Sequence, residues 1–333
     1  MTLTNQDADC RELLRRIREA SPDARGVQVL SDTLEQLRWV RDMPAPSRPL
    51  PERHPVRRLD TLPPDAAVAC PGVPGAYTHM ASVKLFPRGD IRFFEEFSDV
   101  VEAVVSGEAA YGVLPVENSS AGQVGEVLEL IAGHQLYISL TTDIKVEHCL
   151  CIHPDSDPAA ITEAVSHPQA LLQCRGYLER RGLSSRRHTN TAAAAKELAQ
   201  APAPVACICS ALSAELYGLR ILEQGIQDFG ENYTRFVCVS PRNILLPGAD
   251  TISITLSLPH EPGYLAKLLT RFAACSLDLS RLVSKPIASR DFSVLFYLDF
   301  HGSILDPQVE GLLGALGDEC DIFYFHGNFH RLP

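Results

Sequence analysis

No segment of the 333-residue chain approaches the roughly 18 consecutive apolar residues that a membrane span requires. The first ten residues are polar and hold no apolar core of the secretory kind, so the expected compartment is the cytoplasm. Positive charge is scarce as well. The formal net charge of −11 argues against nucleic acid as a partner, because phosphate contacts need a basic face. Residues 1–60 hold eleven arginines against ten acidic residues, so the deficit lies in the remainder, which can bind an anion only by gathering positive groups locally. Ten cysteines are present, yet there is no Cys-x-x-Cys and no zinc-type spacing, so no metal site is expected. Cys149 with Cys151, and Cys207 with Cys209, alternate along predicted strands and read as small reduced hydrophobes on one sheet face.

What is present is an ordinary soluble composition, 45% hydrophobic and 21% charged, with length for two or three domains. Periodic Leu, Ile and Val predict helices over 8–20 and 33–43, the second capped by Ser31 or Asp32, giving a short helical segment over 1–43. Prolines 44, 46, 49, 51, 55, 63 and 64 make 44–65 an extended linker. Over 66–245 short apolar runs alternate with helical patterns, which predicts an α/β unit with a mostly parallel sheet. Over 250–330 the order βαββαβ predicts a ferredoxin-like module.

Polar residues recur where strands end and helices begin: Thr78, Asn118-Ser119-Ser120, Ser166 with Gln169, Asn190-Thr191, Ser210 and Thr234-Arg235. One such residue is usually a helix cap and nothing more. Six in one α/β unit mark a crevice at strand ends, where helix N-termini suit an anion held mostly by neutral donors. Glu231-Asn232-Tyr233-Thr234-Arg235-Phe236 sets a hydroxyl beside a guanidinium as a loop becomes a strand. A proton donor beside a fixed charge suits elimination from an anionic substrate. Alone, the string reads equally well as a turn with a surface arginine.

The chain resembles the prephenate dehydratases that carry a C-terminal ACT regulatory domain, over roughly 66–330. The resemblance rests on collinear motifs: Gly72-Val-Pro-Gly75-Ala-Tyr77-Thr78-His79, Gly112-Val-Leu-Pro115-Val-Glu117-Asn118-Ser119, Ser166-His167-Pro168-Gln169-Ala170, Asn190-Thr191-Ala192 and Asn232-Tyr233-Thr234-Arg235-Phe236. It implies a two-lobed, periplasmic-binding-protein-like catalytic domain over 66–245 and an ACT domain over 250–330. The implied reaction is decarboxylative dehydration of prephenate to phenylpyruvate, without cofactor. Thr234 would protonate the departing hydroxyl. Thr78, standing where the family usually has Ser, would bind substrate with Asn118, Ser119, Ser120, Ser166, Gln169 and Thr191. Arg235 would either hold a carboxylate or brace the cleft wall. Glu117 reads as a structural anchor, His148 as a hydrogen-bonded core histidine, and His167 as a cleft-edge residue.

The resemblance further implies feedback inhibition by phenylalanine through Pro262, Gly263, Tyr264 and Leu265, with Ser284 and Lys285, and assembly as a homodimer or homotetramer. Here the family's Glu-Ser-Arg-Pro reads Val283-Ser284-Lys285-Pro286. Loss of a carboxylate and of a planar guanidinium is expected to weaken or alter effector binding. Residues 1–43 are too few for the chorismate mutase domain of many relatives, so no mutase activity is expected. Arogenate dehydratase shares these motifs and stays open, as does a non-catalytic amino-acid sensor, which the retained Thr234 disfavours.

Overall fold

The computed structural model describes residues 15, 24–259, 261–286 and 294–333. The chain forms two units, Val56–Ala249 with Phe329–Pro333, and Asp250–Asn328 with the N-terminal residues through Pro55.

Among the described residues the larger unit has two main sheets, besides a small two-stranded one. The first runs Asp90–Phe94, Ala67–Pro71, Tyr111–Asn118, Tyr233–Ser240 and Tyr137–Lys145, followed by residues 330–332. The second runs Arg220–Gln224, Cys149–Ile152, Val205–Cys209, Glu163–Ser166 and Ser184–Arg187. The expectation of one mostly parallel sheet is therefore corrected. Both sheets are mixed, and each contains a strand antiparallel to both neighbours: Tyr233–Ser240 in the first, Cys149–Ile152 in the second. Each is the strand the chain enters just after passing from the other sheet, so it starts at the end where its parallel neighbours finish. The two passages are tied together by Val146 N–H donating to Asn232 O at 2.8 Å.

Side-chain alternation places the cores. Phe236 and Cys238 join Val68, Phe86, Tyr111 and Val113 in the first lobe. In the second, Leu150, Ile152 and Ile208 face one layer of helices, while Cys149, Cys151, Cys207 and Cys209 face the other with Ala194 and Ala195. The four thiols thus share one sheet face, packed against alanines that leave them room.

In the smaller unit the sheet order is Leu279–Pro286, Val294–His301, Thr251–Leu258 and Phe323–Leu332, the ferredoxin-like arrangement, with helices Tyr264–Ala274 and Pro307–Glu319. Two expectations for the N-terminal region change. The second predicted helix spans Ala24–Arg41, so Ser31 and Asp32 lie inside it rather than capping it; the 8–20 helix lies outside the described residues save Arg15. The proline-rich stretch is not uniformly extended. It contains the short helix Leu50–Arg53, with proline in its first turn where no N–H is needed, and the strand Val56–Arg58 paired with Asn243–Leu245.

Residues 43–53 lie along Pro307–Glu319, where Gly311, Gly314 and Gly317 form a row at three-residue spacing. A Cβ at Gly314 would stand 2.7 Å from Pro46 Cβ, and one at Gly311 3.1 Å from Met43 Cε. Ser47 donates its N–H (2.6 Å) and hydroxyl (2.7 Å) to Asp318, and Arg53 pairs with the same carboxylate. Glycine weakens a helix by about 1 kcal/mol per residue relative to alanine. The close approach of the strap explains why glycines are placed there. Beside it, the Arg271 guanidinium sits 3.6 Å over the Trp39 ring centroid and donates to Gln36 Oε1 at 2.8 Å.

Candidate active site

Thr234 and Arg235 begin the central strand of the first sheet, just after one of the two passages between lobes. Thr234 is opposite Asn118 on one neighbour and Ile144 on the other. The register slips between Arg235 and Phe236, where Phe236 pairs with Pro115. Proline cannot donate to a ladder, and a bulge beside it absorbs the defect.

Asn118 organises the site. Its carbonyl Oδ1 accepts from Ser120 N–H (3.0 Å), Ser120 Oγ (2.8 Å) and Ala121 N–H (2.9 Å), which fixes the amide orientation. Its Nδ2 therefore donates, to Asn232 Oδ1 at 2.8 Å and to Thr234 Oγ1 at 2.9 Å. With an acceptor site of Oγ1 occupied, the Thr234 hydroxyl proton is directed elsewhere. Ser119 braces the strand backbone, its Oγ accepting from Tyr233 N–H at 2.9 Å.

The chain of donors continues into the second lobe. Gln173, at the end of helix Pro168–Gln173, donates from Nε2 to Ser120 Oγ at 2.8 Å. Its Oε1 is thus the acceptor facing His148 Nε2 at 2.9 Å, so His148 carries its proton on Nε2. Burial pushes the His148 imidazole below its usual range, opposed by the Gln173 hydrogen bond, so the ring is neutral near pH 7. Donors run one way, from His148 through Gln173, Ser120 and Asn118 to Thr234. Such aligned bonds polarise one another.

Arg235 is gripped from both sides. Its Nε and Nη2 donate to Asp143 Oδ1 and Oδ2 at 3.0 and 3.2 Å, and its Nη1 lies 3.8 Å from Glu117 Oε2. Asn232 is 2% exposed, and its Nδ2 is buried with no partner among the described residues, a donor available to a bound group or water.

The remaining sequence candidates are dispersed. Thr78 is buried in the first turn of helix Tyr77–Leu85. Ser166 is fully buried and donates to Ile208 O at 2.6 Å, so its hydroxyl is used within the second sheet. Gln169 is half-buried in the first turn of its helix, with its N–H bonded to His167 Nδ1 at 3.1 Å. Thr191 opens the helix that Asn190 caps through Ala193 N–H at 2.6 Å. The loop at Gly75, where φ is +90°, is held to the second lobe because Gly75 O accepts from Ser210 Oγ (3.1 Å) and Ser213 Oγ (2.8 Å). Sequence reasoning passed over Gln173, Asn232 and Asp143, and gave His148 a core role without its link to Thr234.

In the smaller unit, Leu258, Pro259, Glu261, Pro262, Tyr264, Leu265, Val294 and Phe296 line a cavity of about 320 Å³. Gly263, at φ +91°, is the N-cap of helix Tyr264–Ala274. Ser284 and Lys285 do not line the cavity, but they are opposite Phe296 and Leu295 on the adjoining strand. His260, two residues before Pro262, lies outside the described residues.

Comparison with known proteins identifies the family. Residues 68–244 match the family model described as prephenate dehydratase. The chain is 32% identical to arogenate dehydratase 2 of Petunia hybrida over 280 residues, covering 79% of this chain and 71% of that protein. It is 31% identical to the bifunctional chorismate mutase/prephenate dehydratase of Stutzerimonas stutzeri, covering 79% and 73%. Among solved structures, the prephenate dehydratase of Arthrobacter aurescens in complex with L-Phe superposes with TM-score 0.73 at 29% identity, covering 80% of this chain and 90% of that one. GqqA, described as a novel type of quorum-quenching acylase, superposes with TM-score 0.72 at 29% identity over 80% and 98%.

Proposed function

The chain belongs to the prephenate dehydratase family, and on that premise we propose that it converts prephenate to phenylpyruvate under feedback control by phenylalanine. As a family member it is a carbon–oxygen lyase acting on prephenate or its amino analogue arogenate. The observation that carries the mechanistic reading is the amide donated to Thr234 Oγ1 by an asparagine whose orientation three other donors fix.

In the proposed reaction the Thr234 hydroxyl gives its proton to the ring hydroxyl as that C–O bond breaks. The bond to the ring carboxylate breaks at the same time, its electron pair entering the ring and carbon dioxide leaving. Water and an aromatic product result. Threonine is a weak acid, and the Asn118 amide offsets this by stabilising charge that builds on Oγ1. The threonine regains its proton from solvent. A positioned general acid contributes about 10²–10⁴-fold. Arg235 supplies positive charge for a substrate carboxylate, and Gln169, Thr191, Thr78 and Ser119 are proposed as neutral donors to the substrate. Ser166 contributes from behind, by fixing the sheet.

Arogenate is the second reading, favoured by relatives named arogenate dehydratases. The two substrates share the reacting ring and differ in a keto or amino group on the side chain. Purified protein incubated with each in turn, followed by phenylpyruvate or phenylalanine formation, decides between them. Thr234→Val should lose at least about 100-fold in kcat on the preferred substrate. Activity in that variant equal to the parent's would refute the donor role. The cavity beside Pro262, Tyr264 and Leu265 supports phenylalanine as effector, in an ACT domain that pairs chains into a dimer or tetramer.

A further inference from the structure

We propose that Arg331 is a positioning residue for substrate binding, neutralising Asp143 so that Arg235 keeps its positive charge for an anionic ligand. The inference rests on the reading above in which Arg235 receives a substrate carboxylate. Residues 329–333 belong to the larger unit, and residues 330–332 pair with Leu140, Thr141 and Thr142 on the strand Tyr137–Lys145. That register brings Arg331 Nη2 to 2.7 Å from Asp143 Oδ2. The same carboxylate holds Arg235 through both oxygens.

Charge balance gives the arrangement its function. Arg235 is flanked across the sheet by one acid on each neighbouring strand, Asp143 and Glu117. Those three groups alone sum to a single negative charge beside the residue that must attract a dianion. Arg331 brings the sum of these side chains to zero, with Lys84 a further cation whose Nζ donates to Asp143 O at 3.4 Å, in a chain whose net charge is −11. The Asp143 side chain is only 12% exposed, so its charge is poorly screened and needs a nearby counter-charge. Without Arg331, Asp143 would bind Arg235 more tightly and repel the incoming carboxylates. The effect falls on binding and leaves Thr234 and its donors untouched.

Steady-state kinetics of Arg331→Gln test this with prephenate and arogenate at low and high salt. KM should rise about two- to five-fold, the size of a partly exposed ion pair, with kcat within about twofold of the parent. The KM difference should shrink as salt rises. Arg331→Lys, which keeps the charge, should stay near the parent value. Adding Asp143→Asn to Arg331→Gln removes the uncompensated carboxylate and should lower KM again. An unchanged KM in Arg331→Gln overturns the proposal. So does a fall in kcat alone that tracks a lowered thermal midpoint, which would mark a merely structural role. If the parent protein turns over neither substrate, the functional reading fails; if it does and KM ignores Arg331, only this inference fails.

Discussion

Replacing Asn118 by aspartate changes one NH₂ to one oxygen and almost nothing in shape, so it isolates the direction of the hydrogen bonds. The three donors that meet Oδ1 remain satisfied. The other carboxylate oxygen would stand 2.8 Å from Asn232 Oδ1 and 2.9 Å from Thr234 Oγ1, where the amide had donated to both. Two consequences follow. The Thr234 hydroxyl turns to donate to the carboxylate and no longer points its proton at the substrate, which removes the general-acid contribution of about 10²–10⁴ in kcat. The facing oxygen of Asn232 loses its short donor and keeps only the 3.4 Å contact from Ser120 Oγ, at about 1–3 kcal/mol of stability. Asn118→Ala should be the milder of the two in kcat, because it removes the amide without capturing the threonine proton. Initial rates with the preferred substrate, alongside circular dichroism to establish folding, give the comparison. A folded Asn118→Asp with kcat within tenfold of the parent, or one more active than Asn118→Ala, would refute the reasoning.

Gly314→Ala should destabilise by about 1–2 kcal/mol in denaturant titration despite alanine's helix preference, because its Cβ would meet Pro46. Gly133→Ala, with open space around the Cβ position, should be neutral or stabilising. His326, fully buried with Nε2 2.7 Å from Thr255 Oγ1, has its pKa lowered to about 3, first by burial and then by the Arg281 and His54 charges. The unfolded chain therefore takes the proton first as pH falls. Stability present above about pH 6.5 should decline by about 1.4 kcal/mol per unit towards pH 3, and His326→Gln should flatten that slope in pH-dependent thermal melts. Isothermal titration should show phenylalanine binding about tenfold or more tighter to the Val283→Glu/Lys285→Arg variant than to the parent, the size of a charge-assisted hydrogen bond regained.

The lobes and the Thr234-Arg235 candidate were legible because their signals are local. Strand periodicity, a cap such as Asn190 and the Thr234-Arg235 step each declare themselves within a few residues. The support around Thr234 was not. Gln173 reads as one polar residue on a helix, and it becomes part of the site only because the second lobe brings it to Ser120. Asp143 sits inside a strand pattern, and its pairing with Arg235 depends on register, which periodicity does not give. The antiparallel strands were missed for a similar reason, since an apolar run carries no direction. The prolines of 44–65 read as a linker because the row of glycines that receives them lies far along the chain.

That separation bears on how the protein is made. Ser47 and Asp318 are 271 residues apart, and the smaller unit is completed only when the second of them has been synthesised. At about 5–20 residues per second, the N-terminal strap waits roughly 15–50 s for the helix it covers. During that interval the larger unit can emerge and fold, while Trp39 waits for Arg271. The strap is thus made well before the helix it covers, which makes it a natural client for a chaperone that holds apolar segments during translation.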